Sequence, residues 1–194
     1  MLIKGVNLPE SNFLAMEKDL EIIVDLILNN KRIQKLLYYT SPDAMSKPEL
    51  TEEQALTLIN NNIKIVPKLT IDPDVKNYVY IIFDDFRPND TNPEFQDNNI
   101  YFYIICHYSQ WQLKDFQLRP FRIAAEIKTM IEQKDLTGIG EVEFIGLNHL
   151  NFSDEFMGLG MMFYVIHGGE DRKGMPNPMD EEQFIEDFNE MYND

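Results

Sequence analysis

The sequence predicts an α+β fold in which a mostly antiparallel sheet of about five strands is packed by helices. Apolar residues recur at helical spacing through residues 1–62, and the period changes to two from Ile63 onward. A further helical stretch interrupts the strands between residues 119 and 134. The predicted order is therefore α-α-α-β-β-β-α-β-β followed by a tail, which is the pattern of an α+β protein.

Three helices are predicted in the N-terminal segment. The first begins near Pro9 and reaches Asn29, and a second, shorter helix ends before Pro42. The third begins after Thr51 in "TEEQALTLI", where the threonine hydroxyl and the Gln54 side chain have the spacing of a capping box. Residues 1–62 are therefore interpreted as a helical N-terminal segment.

Three strands are predicted next, at residues 63–71, 78–86 and 100–108, because these runs are rich in Ile, Val, Tyr and Phe. The polar stretch "RPNDTNPEFQDNN", residues 87–99, separates the last two strands and is too long for a tight hairpin. We expect it to project as a loop that contacts a partner. The contact candidates on this loop are Arg87, Asn89, Asp90, Asn92 and Phe95.

The stretch after the third strand contains a helix and then two glycines. Pro120 suits the first turn of this helix, which is predicted to end near Lys134. A dinucleotide-binding turn needs a strand before its glycines and a helix after them, and here the order is reversed. Gly138 and Gly140 are therefore expected to provide backbone freedom before a strand at residues 141–147.

The strand at residues 141–147 is expected to be followed by a loop, "NHLNFSDEFM", and then to pair with a strand formed by "GLGMMFYVIHG". The core then covers residues 63–168, and residues 169–194 form a linker and an acidic helix that Asp180 caps. This helix is expected either to clasp a neighbouring subunit or to pack on its own domain. Its apolar face supplies the contact candidates Phe184, Ile185, Phe188 and Met191.

Charge and cysteine content exclude several classes of protein. The 17 basic and 33 acidic residues give a formal net charge of −16, which argues against tight binding to nucleic acid phosphates. One cysteine excludes an intrachain disulfide framework and favours a reducing, intracellular setting. No apolar run approaches the roughly 20 residues that cross a bilayer, so no membrane association is predicted.

No residue pattern typical of an enzyme is found. Cys106 and His107 are neighbours on a strand, so their side chains point to opposite faces, and Cys106 is interpreted as a core residue. His149 and His167 have no metal-ligand spacing. The paired aspartates are interpreted as turn residues; they are Asp72, Asp74, Asp84 and Asp85. The sequence therefore predicts no catalytic residue, no cofactor and no metal site.

Three further side chains are contact candidates. Trp111 either covers the sheet edge or anchors an interface, and the sequence leaves both readings open. Arg119 and Arg122 flank Pro120, and they are expected either to bind carboxylates of a neighbouring subunit or to remain solvated.

The second half of the chain contains, in order, "RPFRIAAEIKTMI", a polar turn, "LTGIGEVEFIG", a loop and "GLGMMFYVIHG". With this order of motifs, residues 63–168 resemble the tail terminator, or tail-completion, proteins of long-tailed bacteriophages. The resemblance implies a structural virion protein without a catalytic site, commonly a hexameric ring, which caps the tail tube at the neck and faces the head. The implied partners are other copies of this chain, the tail tube protein and head-tail connector proteins. The protein would be made in the host bacterial cytoplasm and would meet DNA only as passing cargo.

Two alternatives stay open beside the terminator. The helical first segment and the acidic last helix depart from a minimal terminator, which leaves room for another head-tail connector or head-completion protein. The net charge also suggests an acidic inhibitor that mimics DNA. A mimic should spread its acidic residues over an elongated surface, whereas here residues 168–194 hold nine acidic and two basic residues.

Overall fold

The computed structural model describes residues 12–65, 69–72, 77–88, 96–132 and 142–167, and these contain helices and strands in the predicted order. The helices are α1 (Asn12–Asn29), α2 (Lys31–Tyr38), α3 (Glu52–Leu56) and α4 (Arg119–Ile131). The strands are β1 (Ile63–Lys64), β2 (Asn77–Pro88), β3 (Gln96–His107), β4 (Val142–Asn151) and β5 (Phe156–His167). All described residues belong to one compact unit, Glu10–Gly168, and the α+β prediction is confirmed.

The five strands form one sheet in the order β1-β2-β3-β5-β4. β1 pairs with β2 in parallel, and the other three pairings are antiparallel, so the sheet is mostly antiparallel as predicted. β3 and β5 pair along their whole length, from Gln96 opposite His167 to His107 opposite Phe156. β3 therefore lies between β2 and β5, with a hydrogen-bonded neighbour on both sides.

Helices cover one face of this sheet and share its core. Strand alternation places Val79, Ile81, Phe102, Ile104 and Phe163 on this face, and all five are buried. They belong to one apolar cluster with residues of three helices and a short turn. The helical members of the cluster include Ile23, Ile27, Ile33, Leu36, Leu37, Ile123 and Ile127. Each large apolar side chain buried in this way contributes about 1.5–3 kcal/mol.

The opposite face of the sheet carries a smaller cluster built on Tyr78 and Tyr80. Residues 69–72 run beside it, with Leu69 and Ile71 packed against the cluster. The Tyr78 hydroxyl lies 2.7 Å from both the amide nitrogen and the carbonyl oxygen of Asp72, and Tyr80 donates to the Thr70 carbonyl. Burial raises the pKa of Tyr78 to about 12. These bonds hold residues 69–72 against the second face.

The start of α3 confirms the predicted capping box. The Thr51 hydroxyl accepts from the Gln54 amide at 3.3 Å, and the Gln54 side chain accepts from the Thr51 amide at 3.0 Å. No helix in the described part of the chain is long and apolar enough to cross a membrane.

The predicted loop at residues 87–99 is shorter than expected. β2 continues through Pro88 and β3 begins at Gln96, so the two strands form a long hairpin around residues 89–95, which lie outside the described part. Arg87 pairs with Asp97, after a bulge that follows Asp84. The polar composition of these residues is typical of a loop, and their extended conformation comes from pairing with β2 across the hairpin and with β5, which lies about 65–70 positions later in the sequence.

Other predicted boundaries also move. The strand expected at residues 63–71 ends at Lys64, and α4 ends at Ile131 instead of near Lys134. Residues 148–151, predicted as loop, belong to β4 because they pair with β5. Gly138, Gly140 and the C-terminal helix predicted from Asp180 lie outside the described residues.

Candidate functional site: a loop anchored by a buried arginine

A buried arginine joins the start of α4 to three other parts of the chain. Arg119 has 0% exposure, and its guanidinium donates to four backbone carbonyl oxygens of the described residues. Nε donates to Gln110 at 2.8 Å, Nη1 donates to Leu36 and, at 2.8 Å, to Tyr39, and Nη2 donates to Ser41 at 2.9 Å. One side chain therefore connects the end of α2, the turn after α2 and the loop after β3.

The position of these carbonyls explains how a cation is tolerated in the core. Leu36 lies in the last turn of α2, where carbonyl oxygens lack helical partners and the helix dipole is negative. Burial lowers the pKa of Arg119 below its ordinary value, since removal from water disfavours the charged form. Four carbonyl acceptors replace the lost hydration of the guanidinium.

The burial of Arg119 corrects the sequence-based interpretation of this residue. Both readings, a contact with a neighbouring subunit and a solvated side chain, require exposure and are wrong for this structure. The sequence contained one local indication that Arg119 is unusual. It lies in the first turn of α4, where a cation is disfavoured by the helix dipole. Its acceptors Leu36, Tyr39 and Ser41 lie about eighty positions earlier, so the sequence did not reveal them.

The loop that Arg119 anchors, residues 108–118, folds back on itself between β3 and α4. It contains two short 3₁₀ turns, Tyr108–Gln110 and Lys114–Phe116. The loop is closed by backbone hydrogen bonds that include Leu113 N to Gln117 O and Arg119 N to Trp111 O, both at 2.8 Å. Lys114 N donates to Pro42 O at 2.9 Å, which joins the loop to the turn after α2. The backbone of this loop is therefore held on both sides.

The tip of the anchored loop carries backbone strain and an exposed aromatic ring. Asp115 and Phe116 have φ angles of 59° and 58°, a left-handed conformation that L residues other than glycine adopt at a cost of about 1–3 kcal/mol each. Phe116 is 91% exposed. An exposed phenylalanine gains nothing from the fold itself, so the strained tip presents a large apolar side chain to solvent.

Trp111 and Phe121 lie against the edge strand β4. The Trp111 indole stacks on the His149 ring with centroids 6.4 Å apart, and Phe121 meets the same ring edge-on at 5.9 Å. The Trp111 indole nitrogen also donates to the carbonyl of Cys106 at 3.3 Å. Trp111 is half-buried at the sheet edge, and its role as an interface anchor stays a prediction.

The exposed arginines keep their status as contact candidates. Arg122 donates from Nε to the Gln117 side chain at 3.1 Å, and Arg87 lies 4.0 Å from the Asp85 carboxylate on β2. Both side chains are exposed. The remaining candidates lie outside the described residues; they are Asn89, Asp90, Asn92, Phe95, Phe184, Ile185, Phe188 and Met191.

The residues tested for catalysis are placed apart by the fold. Cys106 is buried in the core under the helices, as predicted, while His107 lies on the other face with its Nδ1 2.7 Å from the Ser109 hydroxyl. Asp84 and Asp85, interpreted from the sequence as turn residues, lie instead within β2, because this strand continues to Pro88 and pairs with β3. Asp85 has a positive φ at the bulge of β2, and its amide donates to the Asp84 side chain at 2.8 Å. Across the described ranges, no group of three or more His, Cys, Asp or Glu side chains could hold a metal ion.

The Cys106 thiol is expected to be unreactive in the folded protein. Burial raises its pKa to about 12, and the thiolate is the species that reacts with disulfide reagents. At about pH 8 we expect negligible modification of the native protein by a chromogenic disulfide and complete modification after unfolding in guanidinium. Rapid modification under native conditions would show that the core opens around β3.

The fold and the anchored loop define the chain as an α+β protein that presents an aromatic side chain on a braced, strained loop. The chain belongs to the YomW family, whose profile matches residues 30–165. This family takes its name from a Bacillus phage-like gene, which suggests a phage-associated protein. A comparison with curated proteins finds no match.

Proposed function

We propose that this chain is a structural protein of a long-tailed phage, a ring-forming tail terminator that caps the tail tube at the neck and joins tail to head. The arrangement of α4, β4 and β5 carries the proposal. These elements correspond to the helix and the two following strands of the sequence motif on which the resemblance rests. β4 and β5 lie next to each other in the sheet, and α4 packs on this sheet. The phage association of the family supports the same assignment at a coarser level.

The proposed protein acts through contacts alone and needs neither a cofactor nor a catalytic step. Its partners are other copies of the chain in a hexameric ring, the tail tube protein and head-tail connector proteins. The net charge of −16 suits a conduit, because carboxylates around the opening repel DNA phosphates and let the DNA pass. Stoichiometric metal or nucleotide in the purified protein would contradict this part of the proposal.

The most direct test is to image virions that carry a label on this chain. We expect density from the label at the neck, between head and tail. A phage that lacks the chain should accumulate heads and unjoined tails of irregular length, because nothing caps the growing tube. A label at the baseplate or inside the head, or normal virions without the chain, would refute the proposal.

A second candidate is another connector of the neck, such as a head-completion protein. The N-terminal helices favour it, since Ile23 and Ile33 are integral to the core and a minimal terminator lacks such a helical segment. The two functions differ in their first partner. A terminator binds purified tails that lack it, whereas a head-completion protein binds DNA-filled heads.

The hairpin between β2 and β3 offers a test of the tail contact. We expect that replacing residues 89–95 with a short Gly-Ser turn leaves the melting temperature nearly unchanged and abolishes completion of functional tails. The replacement must stop short of Arg87 and Asp97, because these residues pair in the sheet and Asp97 is buried. If the shortened protein restores infectivity, this hairpin is not the contact.

A further inference from the structure

The sheet has two open edges in the part of the chain that the structure describes. Among the described strands, β4 is the last on one side, and β5 is its neighbour. In the described ranges, β1 pairs with only Val79 and Tyr80, so no described strand lies beside β2 from Ile81 to Arg87. An open edge presents amide and carbonyl groups with which another extended strand can pair.

The two open edges run in directions that fit each other. β2, β3, β5 and β4 are each antiparallel to the next strand, so β2 and β4 run in opposite directions. A second copy placed beside the first in the same orientation brings its β2 antiparallel to the β4 of the first. The helices of both copies then cover the same face of one continuous sheet. Such a contact is head-to-tail, and head-to-tail contacts can close into a ring.

The backbone groups of the two edges also match. The Val79 amide donates to the Asn62 carbonyl at 2.8 Å, on the side of β2 that faces away from β3. Because successive residues of a strand direct their backbone groups to alternate sides, Phe83 also directs its groups away from β3. The same alternation, followed through the pairings of β3 and β5, directs the groups of Leu147 away from β5. Phe83 and Leu147 both lie on the helix-covered face, so they can pair with each other without turning either strand over.

The bulges of the two edge strands select one register. β2 has a bulge after Asp84, and β4 has a bulge after Phe144. When Leu147 lies opposite Phe83 of the next copy, the two bulges lie at the same level. A shift by two residues would set each bulge against regular strand, and a shift by one would put opposite residues on different faces.

This register brings complementary side chains together. Glu143 lies opposite Arg87, and both side chains are exposed in the single copy. Leu147 lies opposite Phe83, and both are half-buried apolar residues that pack against the core under the helices. β4 contains no other acidic residue and no Lys or Arg, so no like charges oppose each other. Opposite-charge and apolar pairs across strands stabilise antiparallel pairing.

We propose that residues 143–148 of β4 pair in antiparallel fashion with residues 82–87 of β2 in a neighbouring copy of this chain. The inference rests on the proposed ring and specifies the strands that hold it together. Beyond Ile82, β1 lies beside β2 of the neighbour, so the last residues of β4 turn aside at this level. The twist between adjacent strands carries them away from β1.

The size of the resulting ring suits the passage of DNA. Four strands per copy, about 4.8 Å apart, give each copy roughly 19 Å of perimeter. Six copies close a ring of sheet roughly 37 Å across, and tilting of the strands widens it. The same contact therefore builds the opening that the proposed function needs.

The first experiment links the paired strands covalently. Asn148→Cys and Ile82→Cys are introduced into the same full chain, and these positions lie opposite each other in a non-hydrogen-bonded pair. Their Cα atoms would be about 4.5 Å apart between copies, which suits a disulfide, whereas β2 and β4 of one subunit are roughly 14 Å apart. We expect mild oxidation of the assembled protein to give a ladder of linked chains, up to the hexamer, on a non-reducing gel.

The matched control moves one cysteine out of register. Asp84 is the next residue of β2 on the same face as Ile82, and it lies diagonally from Asn148 at about 7–8 Å. Asn148→Cys with Asp84→Cys should therefore give few linked chains, because the distance exceeds the reach of a disulfide. A ladder from the in-register pair no stronger than that of this control would overturn the proposal.

The second experiment reverses the charges of the proposed pair. We expect Arg87→Glu to raise the concentration of half-assembly ~5-fold in light scattering at low ionic strength, because two carboxylates then face each other. Adding Glu143→Arg to the same chain should restore assembly, since every contact regains a pair of opposite charges. Melting temperatures should change little, because both side chains are exposed. Failure of the second substitution to restore assembly would overturn this pairing.

The outcomes also separate this inference from the proposed function. A label at the neck, together with no in-register ladder, would overturn the strand contact and leave the terminator assignment intact. A ladder that ends at the hexamer, with the label elsewhere in the virion, would support the strand contact and overturn the assignment to the neck.

Discussion

Replacing Arg119 with methionine is expected to lower the free energy of unfolding by about 3 kcal/mol or more. Methionine fills much of the volume of the arginine stem but donates no hydrogen bond. Four carbonyl oxygens would lose their donor in an interior that water does not reach freely. The effect is large beside the 5–15 kcal/mol that typically separates folded from unfolded domains. Urea unfolding followed by circular dichroism would measure it.

Two further variants make this test specific. Arg122→Met removes an exposed arginine one helical turn away, whose bond is to the Gln117 side chain, and should change stability by less than about 0.5 kcal/mol. Arg119→Lys should cause a loss of stability between those of Arg119→Met and Arg122→Met. A lysine ammonium keeps the charge but cannot reach all the carbonyl oxygens that surround the planar guanidinium. If Arg119→Met and Arg122→Met have equal effects, the buried bonds do not hold the loop.

Replacing Gly158 with alanine is expected to destabilise the protein by about 2–3 kcal/mol. A Cβ atom at this position would collide with the carbonyl oxygen of Ile104 and would lie 3.1 Å from the Cα of Ile105. These are backbone atoms of β3, which is paired on both sides and cannot shift without breaking other bonds. The melting temperature of the variant should fall by several degrees.

Gly146 provides the matched control for this substitution. It is also a strand glycine, but it lies at the bulge of the edge strand β4, where an added Cβ would have no heavy atom of the described residues within 4 Å apart from those of its own chain neighbours. Gly146→Ala should be neutral or stabilising by up to about 1 kcal/mol, since alanine loses less backbone entropy on folding. Equal losses in the two variants would mean that Gly158 is not tightly packed against β3.

Much of the fold was predictable because it follows from local patterns. Helical and strand periodicity depend on neighbours within a few positions, which is why the four described α-helices and five described strands were expected in the right order. The capping box at Thr51 needs only a residue three positions later. The burial of Cys106 was also predictable, since it follows from strand alternation within an apolar run.

The boundaries of polar strand segments were less predictable. Asp97 and Asn98 are buried in β3, and Asn148 lies in β4, although each belongs to a run that reads as loop. Their extended conformation is maintained by hydrogen bonds to other strands, and the side chains themselves do not favour it. A pattern read along one segment contains no information about which strand will pair with it.

By itself, the sequence determined the class of fold, the order of its elements and the core position of Cys106, because short-range periodicity specifies these. Only the tertiary structure decided that Arg119 is a buried anchor and that Phe116 is held exposed at the tip of a strained loop. Three of the arginine's acceptors lie about eighty positions away in the sequence, and the fourth, Gln110, lies in the loop. The physical reason is that a charged group enters a core only where distant backbone carbonyls converge to replace its water.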